Sequence, residues 1–377
     1  MTFPPAPTDS IDWNNVGFKV REVNGHIESH YSVQTGKWSA PTFITDPYLR
    51  IHGMAPGLNY GVQCFEGMKA FRTPENKIAI FRPDQNAKRM QVSASYIAIP
   101  LVPIEHFLEC VRLAVGLNAE YVPPHETGAA MYVRPMLFAS SAQLGLNPAE
   151  EYTFAVYVMA TGVYHGVKPV DGLTLEEFDR SAPRGTGAAK VGGNYAPVLP
   201  WSQKAYSEGY GITLHLDSKT NTEIEEFSTS AFLGAKKEED GYLITIPESK
   251  NAIKSVTQDS VCQIAQSRGW KVVQRRVLYE ELPSFSEVLA CGTAAALVPL
   301  KSIYTKSKDE KIVYLKDDEP GPVCRELLQT YKNIQSGKIK DPYEWLDYVS
   351  DPAEWKKANV TAQANGVNGT GSVDMAA

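Results

Sequence analysis

The stretch "RSAPRGTGAAKVGGNY", Arg180 to Tyr195, sets one lysine among glycines and alanines and follows it with an Asn-Tyr pair. Lysine favours a solvated helix face, and Gly-Gly is a poor helix interior. Two readings are open: an exposed loop lysine, or a lysine that tight backbone holds for chemistry. A lysine that attacks a carbonyl must be unprotonated, and burial beside other groups favours that form. Gly187, Ala188, Ala189, Gly192 and Gly193 leave room for a flat ring at Lys190, and Tyr195 can set a phenol beside it.

Three further segments weigh toward the second reading. "EIEEFSTSAF" brings acidic residues in front of Ser228, Thr229 and Ser230. "SVTQ", Ser255 to Gln258, places small and hydroxyl residues before a helix, where free backbone N–H groups suit a phosphate. "CGTA", Cys291 to Ala294, is a second small turn with a hydroxyl. Lysine, carboxylate, phenol and phosphate cup are the parts that pyridoxal phosphate needs.

The rest of the chain sets the frame. Its 377 residues suit two domains better than one. With 43% hydrophobic and 21% charged residues it reads as a globular protein, and a net charge of −6 argues against nucleic acid or an anionic membrane as partner. The longer apolar runs, such as "AAALVPL", fall far short of the roughly 20 residues a membrane span needs. "MTFPPAPTDSIDWNN" carries no basic residue and fits neither a secretory nor an Arg-rich transit signal. Cys64, Cys110, Cys262, Cys291 and Cys324 form no CxxC and read as reduced, buried thiols, so a cytoplasmic setting is expected.

Periodicity gives the elements. "GFKVREVNGHIESHYSV" reads as a hairpin turning at Asn24-Gly25. "LNYGVQCFEGMKAFRTPENKIAIFRP" reads as a short helix and a strand pair turning at Pro74 to Asn76. Helices are expected over "PDQNAKRMQVSASYI", "IEHFLECVRLAVGLNAEYV", "PWSQKAYSEGY", "VTQDSVCQIAQSRGW" and "GPVCRELLQTYKNIQSGK". Buried strands are expected over "AAMYVRPMLFAS" and "EYTFAVYVMAT", with more strands through the second half. The boundaries read as a domain over 1–161, a linker over 162–172 in the Gly/Pro-rich "GVYHGVKPVDG", a second domain over 173–355, and a disordered tail over 356–377. This is an α+β, two-domain pattern. There is no GxxxxGK[ST], GxGxxG or GxSxG. "HIESH", His26 to His30, puts three polar side chains on one strand face. It lacks the closed ligand set of a metal site, so no metal is expected.

Taken in order, "LNYGVQCFEGMKAFR", "NAKRM", "MYVRP", the lysine segment, "EEFSTSAF", "SVT" and "CGTAA" make the chain resemble a fold-type IV pyridoxal-phosphate aminotransferase. The group is the branched-chain amino acid aminotransferase family, and the chain is similar to a divergent, fungal-like member from about Val16 to about Lys340. The resemblance implies the D-amino acid aminotransferase-like fold and a homodimer in which first-domain residues complete a neighbouring subunit's site. It makes Lys190 the Schiff-base lysine and proton shuttle, Glu225 the partner of the pyridinium nitrogen and Tyr195 that of the ring hydroxyl. Arg89, Arg180, the N–H groups of Val256 and Thr257, and the Thr293 hydroxyl are implied to bind the phosphate. Tyr60, Phe65, Tyr132, Arg134, Ser228 and Ala294 are implied to face the substrate.

The implied reaction is ping-pong transfer of an amino group from a branched-chain or other hydrophobic L-amino acid to 2-oxoglutarate. Counting back from Phe232 favours Glu225 over Glu226 and Glu223. Phe227 replaces a common Gly, which is expected to narrow or reshape the pocket, and Ser230 replaces an Asn. These departures keep open a specialised secondary-metabolite donor or an (R)-amine, although the Tyr132-Val133-Arg134 run weighs against the amine. A lyase of the aminodeoxychorismate type and a non-catalytic binding protein are the remaining alternatives.

Overall fold

The computed structural model describes residues 2–162, 168–180, 182 and 184–358. Two β-sheets, each of nine strands among the described residues, carry helices on their faces; the first is antiparallel throughout and the second is mixed. The first sheet contains β1 (His26–Ser32), β2 (Lys37–Trp38), β3 (Thr42–Ile44), β4 (Gln63–Phe65), β5 (Met68–Arg72), β6 (Ile78–Phe81), β7 (Ala130–Ala139) and β8 (Glu151–Thr161). Helices α1 (Pro56–Asn59), α2 (Pro83–Tyr96) and α3 (Ile104–Gly116) belong with it. Pro83 occupies the first turn of α2, where a missing N–H removes no helix bond.

The alternation of β7 decides what this sheet presents. Met131, Val133 and Leu137 are fully buried in a core with Phe107, Val111 and Val115 of α3. With side chains alternating across a strand, half-buried Tyr132 and Arg134 point to the opposite face.

The second sheet runs β11 (Ile224–Phe227), β10 (Ile212–Leu216), β9 (Val170–Leu175), β16 (Ala296–Thr305), β15 (Glu287–Gly292), β12 (Ala231–Glu238), β13 (Gly241–Pro247), β14 (Lys271–Arg275), with β17 (Glu310–Val313) paired to β16. Helices α5 (Val256–Ser267) and α6 (Pro322–Gln335) pack on it through Val261, Ile264, Leu327 and Ile334. Buried Glu287 accepts the N–H groups of Val323 and Cys324 at 2.8 and 3.0 Å and so fastens the start of α6 to β15. Helix α4 (Leu199–Ser207) follows the lysine segment.

Several boundaries differ from the sequence reading. The Asn24-Gly25 hairpin does not form, and residues before His26 make no strand. Asn24 instead donates to Leu117 O and Glu120, while β1 pairs with β2, β3 and β8. Gly25 serves a close approach, since a Cβ there would run into the Ile44 carbonyl. Strand β9 begins at Val170, inside the expected linker, and the chain returns to the first sheet as β18 (Leu346–Tyr348) against β6. Residues 353–358 are helical. Residues 163–167 of the linker and 359–377 of the tail lie outside the described residues.

Candidate active site

The lysine segment is stitched between the sheets. Cys64 of β4 bridges Val191, the Phe65 N–H donates to the Lys190 carbonyl at 3.1 Å, and the Lys190 N–H donates to Ser93 Oγ of α2 at 2.9 Å. The small residues permit this closeness: a Cβ on Gly192 would strike the Gln63 amide. Asn194 donates to the carbonyls of Thr186 and Ala189, closing the loop around the lysine. Lys190 Nζ donates to Tyr195 Oη at 2.8 Å and lies 4.6 Å from the centre of the Phe65 ring.

This ammonium faces a cavity lined by Arg89, Arg180, Tyr195, Glu226, Thr229, Ser230, Ile253, Ser255 and Thr293. One side of the lining is built around Arg89. Arg89 donates to both Glu66 oxygens at 2.8 and 2.7 Å and to Lys254 O at 2.9 Å. Burial opposes the Arg89 charge, but Glu66 more than offsets it and raises the guanidinium pKa. Ser255 caps α5 by accepting the Gln258 N–H at 3.2 Å. Helix geometry leaves the Val256 and Thr257 N–H groups, one and two positions later, without intrahelical acceptors. Arg89 and Ser255 also line a neighbouring hollow of about 590 Å³.

Another side is set by the Glu226 carboxylate. Buried Arg180 pairs with Glu226 and donates Nε to Ser228 O at 3.0 Å. The register explains the position. Ile224 pairs with Leu216 and Glu226 with His215, so Glu225 is the extra residue of a β-bulge. A bulge re-aims the side chains around it. Glu225 turns to Asn251, which donates to it at 3.2 Å, and does not line the cavity. Burial pushes the Glu225 carboxyl above its ordinary range against hydrogen bonds from Ser249 and Asn251. His215 is buried behind this side, and burial plus the Arg180 charge press its pKa down to about 3.

Among the sequence-derived positions, Lys190, Tyr195, Arg89, Arg180 and Thr293 line the cavity, and Val256 and Thr257 open the helix beside it. Arg180 stands with Glu226 rather than as a free phosphate ligand. Phe65, Tyr132 and Arg134 cluster next to it: the Arg134 guanidinium lies 5.0 and 5.1 Å from the Phe65 and Tyr132 rings and donates to Tyr132 Oη at 3.2 Å. Four placements correct the sequence reading. Glu226, not Glu225, lines the cavity. Ser228 is buried with its hydroxyl on Thr213, behind the wall, while Thr229 and Ser230 face the cavity. Ala294 borders a separate cavity with Lys69 and Lys332. Tyr60 is exposed, donates its hydroxyl to Leu144 O and does not line the cavity. Phe227 does not narrow the pocket; it is fully buried and stacks on Phe232. Glu66, which sequence reasoning missed, is fully buried under Arg89; a carboxylate between Phe65 and Gly67 in an otherwise apolar run was its only signal.

The donor set fits pyridoxal phosphate: a lysine amine, a phenol and a carboxylate, with an arginine, a hydroxyl and helix N–H groups.

The chain is similar to known proteins. The family model described as amino-transferase class IV matches residues 63–303. Aminotransferase poxL of Penicillium oxalicum is 51% identical over 94% of this chain and 97% of its own. Branched-chain amino acid aminotransferase gloG of Glarea lozoyensis is 46% identical over 93% of this chain and 99% of its own. Among solved structures, the branched-chain amino acid aminotransferase of Escherichia coli superposes with a TM-score of 0.71 at 23% identity, covering 87% of this chain and all of that one (100%). The enzyme of the archaeon Thermoproteus uzoniensis gives 0.69 at 21%, covering 86% of this chain and 100% of that one. At such identities the structures establish a shared fold.

Proposed function

The chain belongs to the class IV aminotransferases, and we propose that it uses pyridoxal 5'-phosphate to move an amino group from a branched-chain or other hydrophobic L-amino acid to a 2-oxo acid, 2-oxoglutarate in the first instance. The observation that carries this is Lys190 Nζ, 2.8 Å from Tyr195 Oη, in one cavity with the Arg180–Glu226 pair, Arg89 and Ser255. The bound cofactor supplies a protonated ring that draws electrons from the substrate α-carbon.

The chain's own residues do the rest. Lys190 would hold the cofactor and, with its amine free, would carry a proton from the substrate α-carbon by general acid–base catalysis. Glu226, steadied by Arg180, would favour the protonated ring nitrogen. Tyr195 would orient the Lys190 amine and meet the ring hydroxyl. Arg89, Thr293 and the α5 N-terminus would hold the phosphate. Phe65, Tyr132 and Arg134 hold an apolar side chain and a carboxylate in turn, as two alternating substrates require. With Phe227 in the core, one ground for a specialised or (R)-amine donor falls away.

We also read the chain as a cytoplasmic homodimer. Exposed Met54, Leu58, Tyr60 and Leu144 offer an apolar contact surface around the Tyr60–Leu144 bond. No helix among the described residues is long and apolar enough to cross a membrane.

The test is the purified protein. It is expected to be yellow and to lose its imine absorbance in Lys190→Ala. An imine band retained in that variant overturns the assignment. A glutamate-coupled assay over L-Leu, L-Ile, L-Val, aromatic L-amino acids and (R)-1-phenylethylamine then ranks the donors, and inactivity with every branched-chain donor removes that substrate class.

A further inference from the structure

We propose that Lys69 is a positioning residue, which holds the turn Thr293–Ala295 in place so that Thr293 faces the lysine cavity. Lys69 lies on β5 directly opposite Tyr132 of β7, and opposed residues of an antiparallel pair share a face. That face is the one turned toward the second sheet. Lys69 Nζ donates to the Ala294 carbonyl at 2.7 Å, and Gly67 O accepts the Thr293 hydroxyl at 3.4 Å. Neighbouring residues of the turn are thus tied to the beginning of β5, 225 and 226 positions away in the chain.

The turn needs such ties. The β15–β16 ladder ends at Gly292 against Ala296, so Thr293, Ala294 and Ala295 lie outside it. Ala296 closes the turn at φ 64°, in the left-handed region that a non-glycine residue enters only when its surroundings impose it. Behind the turn is a cavity of about 160 Å³ lined by Lys69, Lys332, Lys338, Gln329 and Asn333, with no carboxylate among its lining residues. Burial, and then the Lys332 charge, press the Lys69 pKa down to about 8. An ammonium kept in an interior strand beside a second ammonium works against stability, where an apolar side chain would serve better. The bond to Ala294 O is what that arrangement secures. Lys69 does not line the Lys190 cavity; it acts through the turn.

The link to the cofactor rests on the function proposed above, but the tethering of the turn does not. Two measurements on Lys69→Met and Lys69→Arg separate them: amide hydrogen exchange of the 289–297 segment without cofactor, and the dissociation constant of pyridoxal phosphate. Losing a hydrogen bond from a charged donor is expected to speed exchange in that segment about tenfold and to weaken cofactor binding about tenfold. Lys69→Arg, which keeps a cationic donor, is expected to restore both to within about threefold. Wild-type exchange and binding in Lys69→Met overturn the proposal. So does exchange that rises evenly over both sheets, which marks a general stability role. If Lys69→Met does not fold, Lys69→Gln must show the same two changes. Failure of that variant to fold, or its agreement with wild type, also overturns the proposal. If the wild-type protein binds no cofactor, the cofactor reading falls while the exchange comparison still decides the tether.

Discussion

Two buried arginine–glutamate pairs border one cavity and are built differently. In Arg89–Glu66 only the arginine faces the cavity. Glu66 lies wholly beneath it, taking two bonds from Arg89 and one from Asn86 at 2.7 Å. In Arg180–Glu226 both members line the cavity, and the arginine is fixed from behind by Ser228 O. The first arrangement turns positive charge toward the cavity, where on the function proposed above it would meet an anion. The second is nearly neutral overall and presents a carboxylate to the cavity, where on the same reading it would meet a cationic ring nitrogen. One ion pair thus serves as scaffold for its cation, and the other as scaffold for its anion.

The strongest way to break the comparison is at Glu226. Glu226→Gln keeps the shape and removes the charge, so turnover is expected to fall by at least about a hundredfold, the scale of losing one preorganised electrostatic contact. It also strands buried Arg180, and lowered stability of about 3–5 kcal/mol is expected. Glu225→Gln is expected to change turnover less than about threefold, since its side chain faces Asn251 outside the cavity. Steady-state kinetics on the pair decide it; a larger loss in Glu225→Gln returns the role to the bulge residue.

Glu66 sharpens the other half. Glu66→Gln leaves Arg89 without its charge partner but still tied to Lys254 O. Cofactor affinity is expected to fall about tenfold with kcat at saturating cofactor little changed, because Arg89 would hold the phosphate less firmly while Lys190 and Glu226 are untouched. A drop in kcat as large as that of Glu226→Gln would mean that the two pairs are not separate in function.

Gly67, between Glu66 and β5, gives a smaller effect. A Cβ there would collide with the Tyr132 hydroxyl. Gly67→Ala is expected to displace Tyr132 from Arg134 and raise the KM for amino-acid substrates, with about 1–3 kcal/mol of overpacking. Unaltered KM in a folded Gly67→Ala would show that Tyr132 lies outside the substrate path.

These contrasts also show how far the sequence could be read. The periods of "AAMYVRPMLFAS" and "VTQDSVCQIAQS" place β7 and α5, and the small residues around Lys190 mark its loop, because each signal is local. Glu226 is not local. Counting along a regular strand puts its neighbour in the site, and only pairing with His215 and Leu216 across β10 exposes the bulge that shifts the count by one. Asn24-Gly25 carries the local signal of a hairpin. Yet the Asn24 amide is committed to Leu117 and Glu120 nearly a hundred positions away, and tertiary contacts override the turn. Glu66 and Lys69 belong to the same class, since their partners come from α2 and from the β15–β16 turn.

The smallest expected effect concerns how Glu226 is delivered. The loop between β10 and β11 folds on Asp217, whose carboxylate accepts the N–H groups of Lys219, Thr220, Thr222 and Glu223 at 2.7 to 3.1 Å. Burial opposes the charge, but these bonds outweigh it and hold the carboxyl down to about 2. The folded value lies below the unfolded one, roughly 4, so the stabilisation is present above about pH 4 and is lost as pH falls toward 2. Asp217→Asn removes this titration. The difference in unfolding free energy between wild type and Asp217→Asn is therefore expected to shrink steadily from pH 4 to pH 2 and to stay constant from pH 5 to pH 7. Denaturant titrations across that range measure it. A difference that does not change with pH would mean that the carboxylate charge does not hold the loop, and that Glu226 owes its place to the strand pairing with His215 alone.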